Sequence, residues 1–396
     1  MTRFSKFSSI CAVAAIAASA CYGQTMGAPD IRHQPTLYVV PYAHLDTQWN
    51  WDFPQSISEF LLKTMRVNFY LIQKYPHYVF NWTGANRYRL MKEYYPADYT
   101  QVKKYVASGN WYPAGSSVEE GDVNLPSAES IFRQILYGND YFRQEFGKAS
   151  NEFMLPDCFG FPASLPTILA HAGVLGFSTQ KLNSGWQPAP QVGGPGSPEA
   201  TPEGIPFNVG LWEGPDKSTV IAALNPGSYV SIIRSDLSKS PALGPNGEPE
   251  NHEQDWPARI ERNGKLTGVY ADYHYIGTGD IGGAVDEESV RLLEAMVTHG
   301  KAVPPPPVPP GHRPPQIISP PEGTPVEMGD GPVTVVSSAA DQMFADIHPD
   351  MTSKMPMYKG DLELINHSAG SLTSEAYHKR WNRKNEILAG AAEEAS

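Results

Sequence analysis

Apolar and polar positions follow two rhythms along the chain. Short apolar, β-branched runs read as buried strands: residues 36–41 (TLYVVP), 78–82, 111–114, 152–155, 177–180, 219–223 and 333–337. Between them, apolar residues spaced three and four apart predict helices over 57–75, 96–108, 127–146, 164–172 and 286–298. The helix over 127–146 carries its own punctuation. Ser127 is placed to cap it, Glu129 puts a negative charge where the helix dipole favours one, and Gly147 stops it. Strands alternating with helices point to a parallel α/β sheet or barrel. In such folds the chemistry sits on loops at the carboxyl ends of strands.

Two stretches break this rhythm. Residues 187–206 are rich in Pro and Gly and read as a surface loop, and 304–325, with its PPPPVPP run, reads as an extended loop or linker. From 371 to 392 the chain is polar with helical spacing and reads as the beginning of a helical region.

Composition narrows the class. Hydrophobic residues make up 41% and charged residues 18%, which allows a sizeable core. A net charge of -12 argues against nucleic acid, whose phosphates call for a Lys/Arg stripe. The first residues have the form of an export signal over 1–20. Arg3 and Lys6 precede a small apolar run, and Ala18-Ser19-Ala20 fits a cleavage site. Cys21 follows at once, so plain cleavage and lipid attachment at Cys21 both stand; either places the chain in the periplasm or outside the cell. The three cysteines offer no disulfide framework.

Three polar turns follow strands. His44-Leu45-Asp46 comes after the first, with Trp49 three residues on; imidazole and carboxylate are good zinc ligands, though an H-x-D pair is often an ordinary surface pair. Asp157 lies in LPDCFGF, where flanking apolar residues would bury its carboxylate, or where it serves as an Asx-turn residue. Asp280 lies in GTGDIGG, a run whose glycines let backbone approach a ligand, or which is simply a turn before a helix.

In order, spacing and strand context these three turns resemble family 38 glycoside hydrolases, the α-mannosidases. So do EEGDVNLPSAES (119–130), Thr179-Gln180-Lys181-Leu182 and LELINHSAGSLTSEAYHKR (362–380). The resemblance implies a seven-stranded (β/α) barrel-like catalytic domain over 29–350 and the start of a helical bundle domain over 351–396. It implies a retaining α-mannosidase acting on terminal α-mannosides with zinc as cofactor. His44, Asp46 and Asp157 would hold the metal. Asp157 would also be the nucleophile and Asp280 the general acid/base, with Trp49 and Lys181 contacting the sugar.

The chain also departs from the family. Relatives carry a further zinc-binding His in an H-D motif; His274, His367 and His378 here are not in H-D pairs. Val285 stands where relatives tend to have Pro. The expectation is therefore a truncated product, or one half of a split enzyme completed by a separate chain, with weakened or absent activity. Two other readings stand beside it: a zinc-dependent carbohydrate deacetylase and a non-catalytic mannoside-binding remnant.

Overall fold

The structure, a computed structural model, describes residues 28–184, 207–242, 255–304, 323–363 and 376–396. The expected export signal, Cys21, the Pro/Gly-rich stretch at 187–206, most of the Pro-rich stretch and His367 lie outside the described residues.

In chain order the strands are β1 (Thr36–Ala43), β2 (Phe80–Thr83), β3 (Trp111–Ala114), β4 (Glu152–Met154), β5 (Gly176–Ser178), β6 (Val209–Glu213) and β7 (Thr219–Ala223). There follow β8 (Ala271–Thr278), β9 (Lys301–Ala302), β10 (Val326–Glu327), β11 (Thr334–Ser337) and β12 (Met357–Lys359). They build two five-stranded sheets and a two-stranded β9–β10 ribbon. In the first sheet β8 pairs with β1 along its whole length, while β11 and β2 share the opposite edge of β1, all parallel. Every residue of β1 is buried, which is why it reads as a near-continuous apolar run. The second sheet has the order β12-β6-β7-β5-β4 and is parallel apart from the β6–β7 pair.

The expected seven-stranded barrel is not formed: the strands divide into two sheets, with no closed ring among the described residues. The reason lies at the two seams, where other groups take the place of a backbone ladder. Between β3 and β4, the Gly115 N–H donates to Glu152 Oε1 at 2.8 Å, and Tyr112 and Asn151 both donate to Asp341. At the free edge of β8, the loop after β7 accepts the strand's N–H groups, Tyr275 to Pro226 O and Gly277 to Ser231 O, both at 2.9 Å. Tyr275 then spans the gap by donating its hydroxyl to Ser178 Oγ of β5 at 2.6 Å.

Helices cover the sheets. One runs from Phe53 through a π-helical turn, Ser56–Leu61, to Lys74, with the Asp52 carboxylate accepting from Gln55 N at its start. The helix Ala128–Phe146 is capped by Ser127 and ends at Gly147 in the left-handed conformation. Met357–Lys359, expected in the helical region, instead joins the second sheet as β12, parallel to β6. The polar stretch at the end forms the helix Ala376–Ala395. Its Glu386 carboxylate accepts from Ser127 N and Ser130 Oγ, while Trp381, Ile387 and Leu388 stay exposed. No helix among the described residues is long and apolar enough to cross a membrane.

Candidate active site

β1 and β8 end side by side, and the loops beyond them are zipped together. His44 N–H donates to Thr278 O, Asp46 N–H to Asp280 O, and Gly282 N–H to His44 O, at 2.8–2.9 Å. This register carries His44, Asp46 and Asp280 to one place. Glycine permits the close approach: a Cβ on Gly277 would lie 1.8 Å from Tyr42 O, and one on Gly279 would lie 2.1 Å from the Tyr229 ring. The glycines thus bring the strand against Tyr42 and Tyr229.

Asp157 arrives from the second sheet, three residues beyond β4. Its loop is held by Leu155 N–H donating to Ser178 O at 3.0 Å and by mutual backbone bonds between Phe161 and Leu362. Gly160 takes a φ of 101° in this turn, which favours glycine.

One ligating atom each from His44, Asp157 and Asp280 lie within 4.8 Å of one another. His44 is 4% exposed, and its Nε2 makes no hydrogen bond; the carboxylates of Asp46 and Asp157 stand off at 3.4 and 3.7 Å. A buried polar atom without a partner costs free energy. A nitrogen lone pair facing several carboxylates is a donor set that fits a divalent cation. Asp46, expected as a ligand, lies beside His44 but outside the mutually close trio, its side chain 30% exposed. Asp280, expected as the acid/base, lies within the trio.

The surroundings are charged. Lys181 pairs with Asp157 Oδ1, and its ammonium sits 5.1 Å from the centre of the Phe159 ring. Tyr229 donates its hydroxyl to Asp280 Oδ1 at 2.8 Å and packs its ring 4.9 Å from that of His44. Trp49 is 63% exposed beside these groups in sequence, edge-on to Trp51. Trp51 donates its indole N–H to Asp46 O at 3.0 Å and so steadies the loop.

The residue pattern gave no role to Glu120, which lies behind His44. Its Oε2 is 3.1 Å from His44 Nδ1, and its Oε1 accepts from Arg87 at 3.1 Å and from Tyr42 and Thr83. Burial alone would lower the His44 pKa, but Glu120 and Asp46 outweigh it and push it up to about 10, so the ring holds a proton on Nε2 until a metal ion displaces it. Burial likewise would raise that of Glu120, but His44 and Arg87 bring it down to about 2. His274 is placed differently. Its Nδ1 lies 3.0 Å from Pro226 O and its ring 4.4 Å from Trp256, with burial pushing its pKa down to about 4. It belongs to the packing of the helix Trp256–Thr267 against β8, outside the trio.

Residues 34–297 match the Glycosyl hydrolases family 38 N-terminal domain. The chain belongs to this family. Among family 38 relatives, Alpha-mannosidase G of Dictyostelium discoideum is 29% identical over 360 residues, which is 91% of this chain and 27% of that protein. Human Alpha-mannosidase 2C1 is 33% identical over 215 residues, 54% of this chain and 19% of that protein. The chain therefore spans about a quarter of the first relative's length and a fifth of the second's. The crystal structure of an alpha-mannosidase from Enterococcus faecalis V583 aligns with 83% of this chain and 31% of its own, at a TM-score of 0.55 and 16% identity. At that identity the likeness speaks for the fold alone.

Proposed function

We propose that this site is that of a zinc-dependent retaining α-mannosidase acting on terminal α-mannosides. The observation that carries the reading is the convergence of His44, Asp157 and Asp280 at strand ends, around a histidine nitrogen without a hydrogen-bond partner. His44, Asp46 and Asp157 would hold the metal. When bound, zinc supplies a Lewis acid that the adjacent 2- and 3-hydroxyls of mannose can chelate. Asp157 attacks the anomeric carbon as the glycosidic bond breaks, and Asp280 gives its proton to the departing oxygen. Water, deprotonated by Asp280, then releases the sugar from Asp157. Retaining enzymes place the two carboxyl groups about 5–5.5 Å apart, inverting enzymes about 6.5–9.5 Å apart. One oxygen each of Asp157 and Asp280 lies within 4.8 Å of the other, near enough for the two carboxyl groups to flank one glycosidic bond. Lys181 pairs with the carboxylate of Asp157, and exposed Trp49 offers an aromatic face to the sugar.

The test is hydrolysis of an aryl α-mannoside in the presence of zinc, followed by trapping with a fluorinated mannosyl reagent. The label is expected on the peptide carrying Asp157; a label elsewhere, or release of acetate from acetylated sugars in place of mannose, overturns the reading. Export through residues 1–20, with Cys21 as first residue of the mature chain, is part of the proposal. The mass of the purified N-terminal peptide checks both cleavage and lipid.

A further inference from the structure

We propose that Glu120 is a positioning residue that presents His44 Nε2 to the metal by fixing the ring from its far side. The inference rests on the zinc reading above and adds a residue to it. Two acceptors face His44 Nδ1: the Tyr42 hydroxyl oxygen, in hydrogen-bond geometry at 3.0 Å, and Glu120 Oε2, an ion-pair neighbour at 3.1 Å that has no other hydrogen-bond partner. The single hydroxyl proton of Tyr42 is directed to Glu120 Oε1, so its oxygen is left to accept. A ring nitrogen that meets only acceptors carries the hydrogen. The lone pair of the neutral ring therefore belongs to Nε2, the atom facing Asp46 and Asp157.

Glu120 is itself held. Arg87, 2% exposed, reaches its Oε1 at 3.1 Å and also donates to Thr83 O at 2.9 Å and Thr83 Oγ1 at 2.7 Å. The second guanidinium nitrogen donates to Leu45 O, within the H-x-D turn. One buried cation thus ties the carboxylate and the loop that carries His44 into a single frame. A buried ion pair is a weak device for stability, because desolvation offsets the attraction. A carboxylate behind a ligating histidine, by contrast, sets the ring's orientation and raises its basicity. His274 gives the contrast within the molecule. It is also buried, with the Pro226 carbonyl at Nδ1, but among the described residues no carboxylate lies within ion-pair reach of its ring.

The experiment measures zinc affinity by competition with a chromogenic chelator for the unaltered chain, Glu120→Gln, His44→Ala and the double variant. The melting temperature of each zinc-free protein is recorded alongside. Glu120→Gln is expected to weaken zinc binding about 10- to 100-fold and to add no further loss in the His44→Ala background. The same loss in both backgrounds would make Glu120 a packing residue and overturn the proposal, as would unchanged affinity. An unaltered chain that binds no zinc overturns the metal reading and this proposal together. Zinc bound as expected but a trapping label away from Asp157 sinks the mannosidase mechanism and leaves Glu120 in its role. Should Glu120→Gln not fold, Glu120→Asp keeps the charge and draws it back from the ring by one methylene. It is expected to weaken zinc about tenfold, and no change would count against the proposal.

Discussion

β4 carries a buried carboxylate at its start and leads to a half-buried one just past its end, and the two are treated in opposite ways. At the start, Glu152 and its neighbour Asp341 are closed in by donors from the chain itself. Gly115 N–H and Ser150 Oγ serve Glu152; the Tyr112 hydroxyl and two nitrogens of Asn151 serve Asp341. Past the end, Asp157 has Lys181 on one oxygen and faces His44, whose Nε2 has no hydrogen bond, and Asp280. The difference lies in how the polar atoms are partnered. Where every polar atom is satisfied internally, a buried carboxylate joins two sheets. Where one is left open among like charges, the site is built for something from outside.

The comparison breaks most sharply at the open end. Asp157→Asn, which keeps an oxygen for Lys181, is expected to lower mannoside hydrolysis roughly 10⁶-fold, the scale on which loss of a nucleophile acts. The melting temperature of the zinc-free protein should hardly move. A large loss of stability with activity kept in the folded fraction would make Asp157 a structural residue like Glu152. Asp280→Asn comes next, at about 10²–10⁴-fold. The loss should shrink for substrates whose leaving group needs no proton, and an equal loss for good and poor leaving groups would remove Asp280 from the acid role.

Metal removal separates the two ends more gently. A ligand at about 100 times its Kd stabilises the folded state by about 2.7 kcal/mol. Zinc should therefore raise the melting temperature and a chelator reverse it, while His44→Ala responds to neither. A chain indifferent to both would show that the open end is not a metal site.

The open end was legible in the sequence because its first two motifs follow apolar runs that read as strands, and β1 shows throughout. β8, which delivers Asp280, was not. Its ADYHYIGT places Asp272 and His274 in what looks like a polar segment, yet both are buried, so only the glycine-rich turn of Asp280 and not its strand stood out. The reasons lie elsewhere in the chain: Arg259 pairs with Asp272 at 3.0 Å, and Pro226 O lies 3.0 Å from His274 Nδ1. Glu120 was hidden for the same reason. Nothing local separates it from Glu119, and its cation lies 33 residues away. The one hint is Arg87 itself, set among the buried positions of the helix Ala85–Tyr94. The closed end was invisible too, since neither Glu152 nor Asp341 belongs to a motif, and the division into two sheets depends on them.

The last test falls on the closed end. Burial, and then the nearby charge of Asp341, push the pKa of Glu152 up to about 8. The folded state thus holds a proton that the unfolded chain, with an ordinary Glu near 4.3, has already released at neutral pH. Stability depends on pH through the difference in protons bound, and here the folded state binds more. This contribution is fully present below pH ~4.3 and is lost as pH rises towards about 8. The slope is at most about 1.4 kcal/mol per pH unit. Glu152→Gln imitates the protonated form: its carbonyl can still accept from Gly115, and its amide lies beside Ser150. The variant should match the unaltered protein in urea midpoint near pH 5 and exceed it near pH 8. Midpoints that fall in parallel between those values would mean that Glu152 is charged in the folded protein. The start of β4 would then hold a strained charge, and the contrast between the two ends of the strand would lose its basis.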